Sequence, residues 1–267
     1  MTTTKTIFIT GAASGIGRAT AKLFAERGFF VGLYDVDEKG LAALRLEIGT
    51  SKSCMGVLDV GDIDDFKKNA DDFGRTTGGR MDALFNCAGI LRMARFEHLP
   101  PEESHKQIQV NVLGVINGVY AALPLLEKTA EAVRGRKDER GPCIVNMSSA
   151  SAIYGVPELA VYSASKFAVR ALTEALEIEF RRKGIRVADI MPTYVSTPMV
   201  HNQTHRAKSL KTMGVNLKAE DIAEVAWRAV HGKNVVHHMP RADIKLFVRL
   251  AGFQSLGRSA MRYLAKM

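Results

Sequence analysis

Tyr162 and Lys166 lie four residues apart in a helical pattern, which puts a phenol and an ammonium on one face. A phenol titrates near ~10 and is a poor base at neutral pH. An adjacent cation favours the phenolate and lowers that value. Such a tyrosine can take a proton from an alcohol as its carbon is oxidised, or return one to a carbonyl in the reverse direction. Ser149 stands thirteen residues before Tyr162, at the end of an apolar run, and can hydrogen-bond the same oxygen as charge develops on it. A tyrosine and a lysine at this spacing also occur on ordinary exposed helices, so the pair gains its meaning from what accompanies it.

What accompanies it is a glycine turn near the start of the chain. Thr10-Gly11-Ala12-Ala13-Ser14-Gly15-Ile16-Gly17 follows an apolar run and precedes a helical pattern. Glycines there let the chain turn tightly and let bare N–H groups approach a pyrophosphate, while the helix N-terminus adds its dipole and unpaired donors. The spacing is GxxxGxG, not the commoner GxGxxG, so its place after the first strand of a βαβ pattern carries the reading. Asp35 ends the second apolar run, eighteen residues beyond Gly17. Its carboxylate can accept hydrogen bonds from an adenosine ribose and would repel a 2′-phosphate, which favours NAD over NADP. Arg18 argues the other way, since a guanidinium near that pocket can receive a phosphate. Asp59-Val60 ends the third run and Asn86-Cys87-Ala88-Gly89 the fourth. Both are expected at the carboxyl ends of central strands, where open α/β sheets bind ligands. An oxidised nicotinamide ring bound there would add a second positive charge beside Tyr162.

The elements that must position these residues are short apolar runs at 6–10, 29–36, 53–60, 81–88, 143–148, 186–191 and 234–238. Several are apolar throughout, as expected of parallel strands covered on both faces. Helical patterns at 18–27, 41–48, 63–73, 103–127, 162–182 and 219–230 separate them. The expected fold is therefore α/β: a single-domain Rossmann fold with a doubly wound, mostly parallel seven-stranded sheet and helices on both faces. It spans 1–241, followed by a tail at 242–267. The charged segment 128–141 is expected as a solvated loop.

Composition limits the alternatives. Hydrophobic residues make up 46% and charged residues 24% of the 267, so a large core can form. The net charge of +9 suggests nucleic acid at first, but no block of like charges supports that partner. Cys54, Cys87 and Cys143 are widely spaced, with no CxxC pair, and read as reduced thiols in a cytoplasmic setting. No signal peptide and no run of about 18 apolar residues is expected. His231, His237 and His238 lack acidic companions at ligand spacing, so no metal is assigned.

The chain resembles the short-chain dehydrogenase/reductases. Thr10-Gly11-xxx-Gly15-Ile16-Gly17, Asn86-Cys87-Ala88-Gly89, Ser149 and Tyr162-xxx-Lys166 match that family's motifs in order and spacing over roughly residues 5–200. The resemblance implies that Asn111 is the fourth catalytic residue, holding a water in a proton relay towards Lys166, and that Lys166 grips the nicotinamide ribose. It implies that Gly11, Ser14, Gly15, Ile16, Gly17, Asp35, Asp59, Val60, Asn86, Ala88, Gly89, Pro192, Val195 and Thr197 bind the dinucleotide, with Thr197 at the carboxamide. Members using NADP tend to carry a basic residue where this chain has Ser14 or Val36, which again favours NAD. Cys87 replaces a usual asparagine, and Thr193 a frequent glycine. The activity implied is hydride transfer between NAD(H) and a secondary alcohol or ketone. The alternatives are a related enzyme doing dehydration or epimerisation with the same four residues, and a catalytically idle dinucleotide sensor.

The segment 194–217 is expected to cover the site as a lid. Its Met199, Val200, Leu210 and Met213, with Ile153 and Tyr154, suggest a lipophilic alcohol or carbonyl substrate. Its His201, His205, Arg206, Lys208 and Lys211 are the usual charge of a surface loop. The resemblance also implies a homodimer or homotetramer built on the helices holding Asn111 and Tyr162. The tail places six basic residues against Asp243 over 239–267 and alternates them with apolar ones. Docking on a subunit and lying on an anionic membrane surface are both open readings of it.

Overall fold

The computed structural model describes residues 4–136, 139–232 and 236–240. The tail expectation therefore falls outside the described residues.

Strand β1 (Thr6–Thr10) runs into the glycine turn and helix α1 (Gly15–Glu26), and β2 (Phe30–Asp35), α2 (Glu38–Ile48) and β3 (Ser53–Val57) complete the first half. Then come α3 (Ile63–Thr77), β4 (Ala83–Asn86), α4 (Pro101–Ile108), α5 (Gly114–Val133) and β5 (Cys143–Met147). The chain continues through α6 (Ala160–Arg181), β6 (Arg186–Ile190), β7 (Val195–Ser196), α7 (Pro198–His201), α8 (Lys208–Met213), β8 (Leu217–Lys218), α9 (Ala219–His231) and β9 (His237–His238).

Seven strands form one parallel sheet in the order β3-β2-β1-β4-β5-β6-β9, and β7 pairs with β8 apart from it. The order reverses direction between β1 and β4, so a crevice opens at their carboxyl ends. Alternation along the strands builds two cores. Ile7, Ile9, Val31, Leu33, Phe85 and Val145 face α1, α2 and α9. Phe8, Tyr34, Leu84, Ile144 and Val187 face α3, α5 and α6. Both faces of every central strand are thus covered, which is why these runs are apolar throughout.

Two expectations need correcting. Helix α5 runs to Val133, beyond the internal Pro124 and six residues into the supposed loop. Thr129, Ala130 and Val133 are buried there, and Thr129 Oγ1 accepts from the Met81 N–H at 2.8 Å. Packing on the sheet therefore overrides the charged composition that follows. The loop itself is anchored: Glu139 lies 2.7 Å from the buried Arg80 and 2.9 Å from Arg136. Second, 101–133 is one continuous helical stretch apolar enough, by length and composition, to span a bilayer. Its inner side packs into the core beneath the sheet.

The turn at Gln109–Leu113 between α4 and α5 is a wide π turn. Such turns interrupt a helix where a side chain must be re-aimed, and this one holds Asn111.

Candidate active site

A cavity of about 490 Å³ opens at the carboxyl ends of β1, β2, β4, β5 and β6. Gly11, Ser14, Gly15, Ile16, Gly17, Asp35, Asp59, Val60, Ala88, Gly89, Ser149, Tyr162, Lys166, Pro192, Val195 and Thr197 all line it. Two expected residues do not. Asn86 turns between strands, donating from Nδ2 to Asn146 Oδ1 at 3.0 Å. Asn111 is fully buried one layer behind the wall.

At one end the backbone makes the cradle. Gly11 has φ +70°, and a Cβ there would stand 2.9 Å from Ala88 Cα, so only glycine lets the turn meet the β4 loop. Thr10 Oγ1 accepts from the N–H groups of Cys87 (3.0 Å) and Ala88 (3.1 Å), which fixes that loop despite the cysteine. Asp35 accepts from the Ala13 N–H at 3.0 Å and the Asp37 N–H at 3.2 Å, joining the glycine turn to the end of β2. Asp59 pairs with Lys106 at 3.6 Å. Arg18 turns away to Glu47, 2.5 Å off.

At the other end stand Ser149, Tyr162 and Lys166. Ser149 lies two residues beyond β5 and caps a short 3-10 turn, Ala150–Ala152, accepting from the Ser151 N–H at 3.2 Å. The Ser149 side chain also stands beside the Tyr162 phenol. Burial pushes that phenol up to about 12, while the neighbouring Ser149 hydroxyl opposes the rise. Lys166, one turn along α6, is 3% exposed and donates to the Met147 carbonyl at 2.8 Å. Burial lowers its pKa to about 8. Its Nζ lies 5.6 Å from the Tyr162 ring centroid. In the protein alone, burial therefore raises the phenol, opposite in sign to the expectation from spacing. Asn111 Oδ1 accepts from the Ile90 N–H (2.8 Å), and its Nδ2 donates to the Ile90 carbonyl (2.9 Å) and to Ser165 Oγ (3.1 Å). A Cβ on Gly89 would lie 3.2 Å from Asn111 Oδ1 and 3.7 Å from Lys166 Nζ, so glycine leaves room where these two groups converge.

The wall beyond Tyr162 is apolar. Leu91, Val156, Leu159, Tyr194 and Val200 form one cluster with Tyr154 and Tyr162. Met199, Val200 and Met213 from 194–217 line the cavity, and none of that segment's five basic residues does. The segment is held down: Glu158 accepts from the Lys208 N–H at 2.7 Å and pairs with His205 at 3.0 Å, and Gln203 donates to the Leu91 carbonyl at 2.9 Å. Thr193 keeps an ordinary φ, so its replacement of glycine carries no strain. Sequence reasoning missed Ser151, Ser209 and Lys106 in this lining, and the serine-rich run 148–151 was the signal for the first.

Comparison with known proteins matches this arrangement. The family model for short chain dehydrogenase covers residues 5–208. The 3-oxoacyl-(acyl-carrier-protein) reductase of Thermotoga maritima is 34% identical over 227 residues, 83% of this chain and 88% of that protein. Levodione reductase of Leifsonia aquatica is 32% identical over 227 residues, 84% and 80% respectively. Among solved structures, a short chain dehydrogenase/reductase from Burkholderia phymatum in complex with NAD superposes with a TM-score of 0.81 at 25% identity, covering 92% of each chain. The 3-ketoacyl-(acyl-carrier-protein) reductase of Brucella melitensis complexed with NADH gives 0.77 at 30% identity, covering 88% and 96%. The chain belongs to the short-chain dehydrogenase/reductase family, and is an oxidoreductase that moves a hydride between a nicotinamide dinucleotide and an alcohol or carbonyl carbon.

Proposed function

We propose that the chain interconverts a lipophilic secondary alcohol and its ketone with NAD(H), Tyr162 acting as general acid and base. The observation that carries the reading is that Ser149, Tyr162 and Lys166 line one cavity where the glycine-lined crevice meets the apolar wall. A substrate oxygen placed between that hydroxyl and phenol is held by both. The residues fit a dinucleotide: glycine backbone and the α1 N-terminus for the pyrophosphate, Asp35 for the adenosine ribose, Lys166 for the second ribose, and Pro192, Val195 and Thr197 for the carboxamide end. When bound, the nicotinamide supplies or accepts the hydride.

In reduction, Tyr162 donates its proton to the carbonyl oxygen while Ser149 stabilises the charge forming there. In oxidation the same phenol must lose its proton first, and burial opposes this. Lys166 supplies positive charge nearby, held in place by Met147. Asn111 Oδ1 retains one acceptor lone pair beyond its bond from Ile90, which suits a water passing a proton towards Lys166.

Asp35 in the crevice, an exposed Val36 and the diversion of Arg18 to Glu47 support NAD over NADP. The apolar wall supports a lipophilic substrate. The three unpaired thiols suit a reducing compartment. Exposed Ile108, Tyr120, Phe167 and Ile178 on α4, α5 and α6 favour self-association through those helices.

The test is NADH appearance across secondary alcohols, steroids and hydroxyacyl compounds, with wild type beside Tyr162→Phe. Wild type should turn over one class, and the variant should be slower by about a hundredfold to ten-thousandfold. Equal rates in the two proteins would remove Tyr162 from the chemistry. Cofactor binding with no redox turnover anywhere would favour dehydration, epimerisation or a sensor role instead.

A further inference from the structure

Three ties join the segment after β6 to the body of the protein. Tyr194 and Ser209 share a bond of 2.7 Å between the root of the segment and α8. The Gln203 side-chain amide pairs with backbone beside the cavity, accepting from the Met93 N–H at 3.2 Å and donating to the Leu91 carbonyl at 2.9 Å. The third tie is Glu158, in the loop leading into α6 and four residues before Tyr162. Its Oε2 accepts from the Lys208 N–H at 2.7 Å, and its Oε1 meets His205 Nε2 at 3.0 Å.

Glu158 is held in an uncommon backbone conformation. Among the described residues it is the one non-glycine in the left-handed region, at φ +66°. A residue with a Cβ adopts that region at a cost, and persists there where its surroundings fix it. Here the Glu158 carbonyl accepts from the Ala94 N–H at 3.0 Å, and the side chain is 12% exposed. Glycine would suit this backbone better, so the carboxylate is what the position uses. Glu158 itself is not among the residues lining the cavity, but Met199, Val200, Ser209 and Met213 of the segment it holds are. Ala207 and Leu210, on either side of Lys208, are buried in one cluster with Val156 and Leu159, on either side of Glu158.

We propose that Glu158 is a positioning residue for the reaction: its carboxylate latches the segment 198–213 over the substrate end of the cavity, and substrate enters and product leaves when the latch lets go. This rests on the reading of that end as the place of the alcohol or ketone. With the latch closed, Met199, Val200 and Met213 complete the apolar wall beside Tyr162. Opening breaks both carboxylate contacts. The glycine turn, Asp35, Lys166, Pro192, Val195 and Thr197 all lie outside 198–213, so the dinucleotide stays bound while the substrate exchanges.

The test uses wild type, Glu158→Gly and Glu158→Gln, with a panel of aliphatic, cyclic and steroidal ketones and NADH. Glycine takes the left-handed backbone freely, so Glu158→Gly removes the carboxylate and little else. Loss of its two contacts should raise the open population about tenfold or more. Trypsin cleavage after Arg206, Lys208 and Lys211, followed by mass spectrometry, should quicken in proportion, because cutting tracks the open form. KM for the ketone that wild type reduces should rise about tenfold, with a smaller change in kcat and an unchanged dissociation constant for NADH. Glu158→Gln keeps an acceptor for the Lys208 N–H and should fall between the other two. Equal cutting and equal ketone KM in all three proteins would overturn the latch while the oxidoreductase reading stands. Faster cutting with an unchanged ketone KM would reject the positioning role. Cleavage quickened alike along the whole chain, or NADH binding weakened as much as ketone KM, would make Glu158 a residue of the fold only. If wild type binds NADH yet reduces no ketone, the substrate reading falls and takes the positioning role with it.

Discussion

Lys166 Nζ donates to the Met147 carbonyl at 2.8 Å, so the ammonium on α6 is tied to the end of β5. Burying the ammonium there costs the fold as well as serving the site. Burial lowers the lysine from 10.5 to about 8. Between those values the unfolded chain binds more protons than the folded one, so stability rises with pH across that window, and the penalty is present in full below about 8. Lys166→Met should therefore melt above wild type at pH 7, by ~1–2 kcal/mol once the lost bond to Met147 is subtracted, and it should be inactive. Its advantage should shrink as the pH approaches 10. Scanning calorimetry from pH 7 to 10 checks this. A variant melting below wild type at pH 7 would mean that the ammonium stabilises the fold.

Cofactor choice turns on a second relationship. Glu47 on α2 holds Arg18 and Lys22 of α1 at 2.5 Å each, leaving Asp35 as the charged group at the end of β2. Asp35→Ala should relax the preference for NAD over NADP by about tenfold, through loss of like-charge repulsion. Adding Glu47→Gln should shift the preference further towards NADP, because the released guanidinium can then reach a phosphate. The ratio of kcat/KM for the two cofactors reads both steps. An unchanged ratio in the single and double variants would assign discrimination to another residue.

The sequence showed the frame of this site better than its internal wiring. The glycine turn, Asp35, the Asn86 loop and the Tyr162–Lys166 spacing are local patterns, and the parallel sheet follows from runs apolar on both faces. What depends on contacts distant in the chain was not legible. Asn86 looked like a cofactor ligand because of its place in a loop motif, yet its partner is Asn146, sixty residues on. The helix beyond Lys128 looked like a charged loop, because only the sheet beneath Thr129 explains its continuation. Lys166 looked close enough to depress the Tyr162 pKa, since spacing cannot show burial.

Asn86, Asn146, Asp189 and His237 stand side by side across β4, β5, β6 and β9. At the edge of this polar row, His237 Nδ1 lies 2.9 Å from Asp189 Oδ1 and its Nε2 lies 3.0 Å from Glu174, which also binds Arg170. Asp189 is fully buried, and its second oxygen has no partner among the described residues. The bond to Asp189 raises the His237 pKa, and burial raises that of Asp189. The histidine's contribution is therefore full below 6.5 and is lost as pH rises through its raised folded value. The aspartate acts in the same direction, since a raised carboxyl loses stability as it ionises. His237→Leu should strand a buried carboxyl and destabilise by ~2–3 kcal/mol, discounted for the partly exposed ring. Asp189→Asn with His237→Gln should recover much of this, as two neutral groups can still hydrogen-bond. Urea unfolding at pH 6 and pH 8 measures it, and equal loss in the single and double variants would reject the pair as the cause.

The helices that carry the chemistry also carry exposed apolar side chains. Ile108 and Tyr120 lie on the stretch that holds Asn111, and Phe167 and Ile178 on the helix that holds Tyr162 and Lys166, with Tyr120 and Ile178 about seven-tenths exposed. α4 and α6 pack together, so these side chains belong to neighbouring helices. Large apolar groups on adjacent helices suit a self-complementary face, where a second copy removes them from water. Ile178→Glu should shift the protein towards monomer in sedimentation velocity. It should lower kcat more than NADH affinity, because the same helix aims Tyr162 while the glycine turn lies elsewhere. A monomeric wild type would dispose of the interface. Unchanged association in Ile178→Glu would move it to another face.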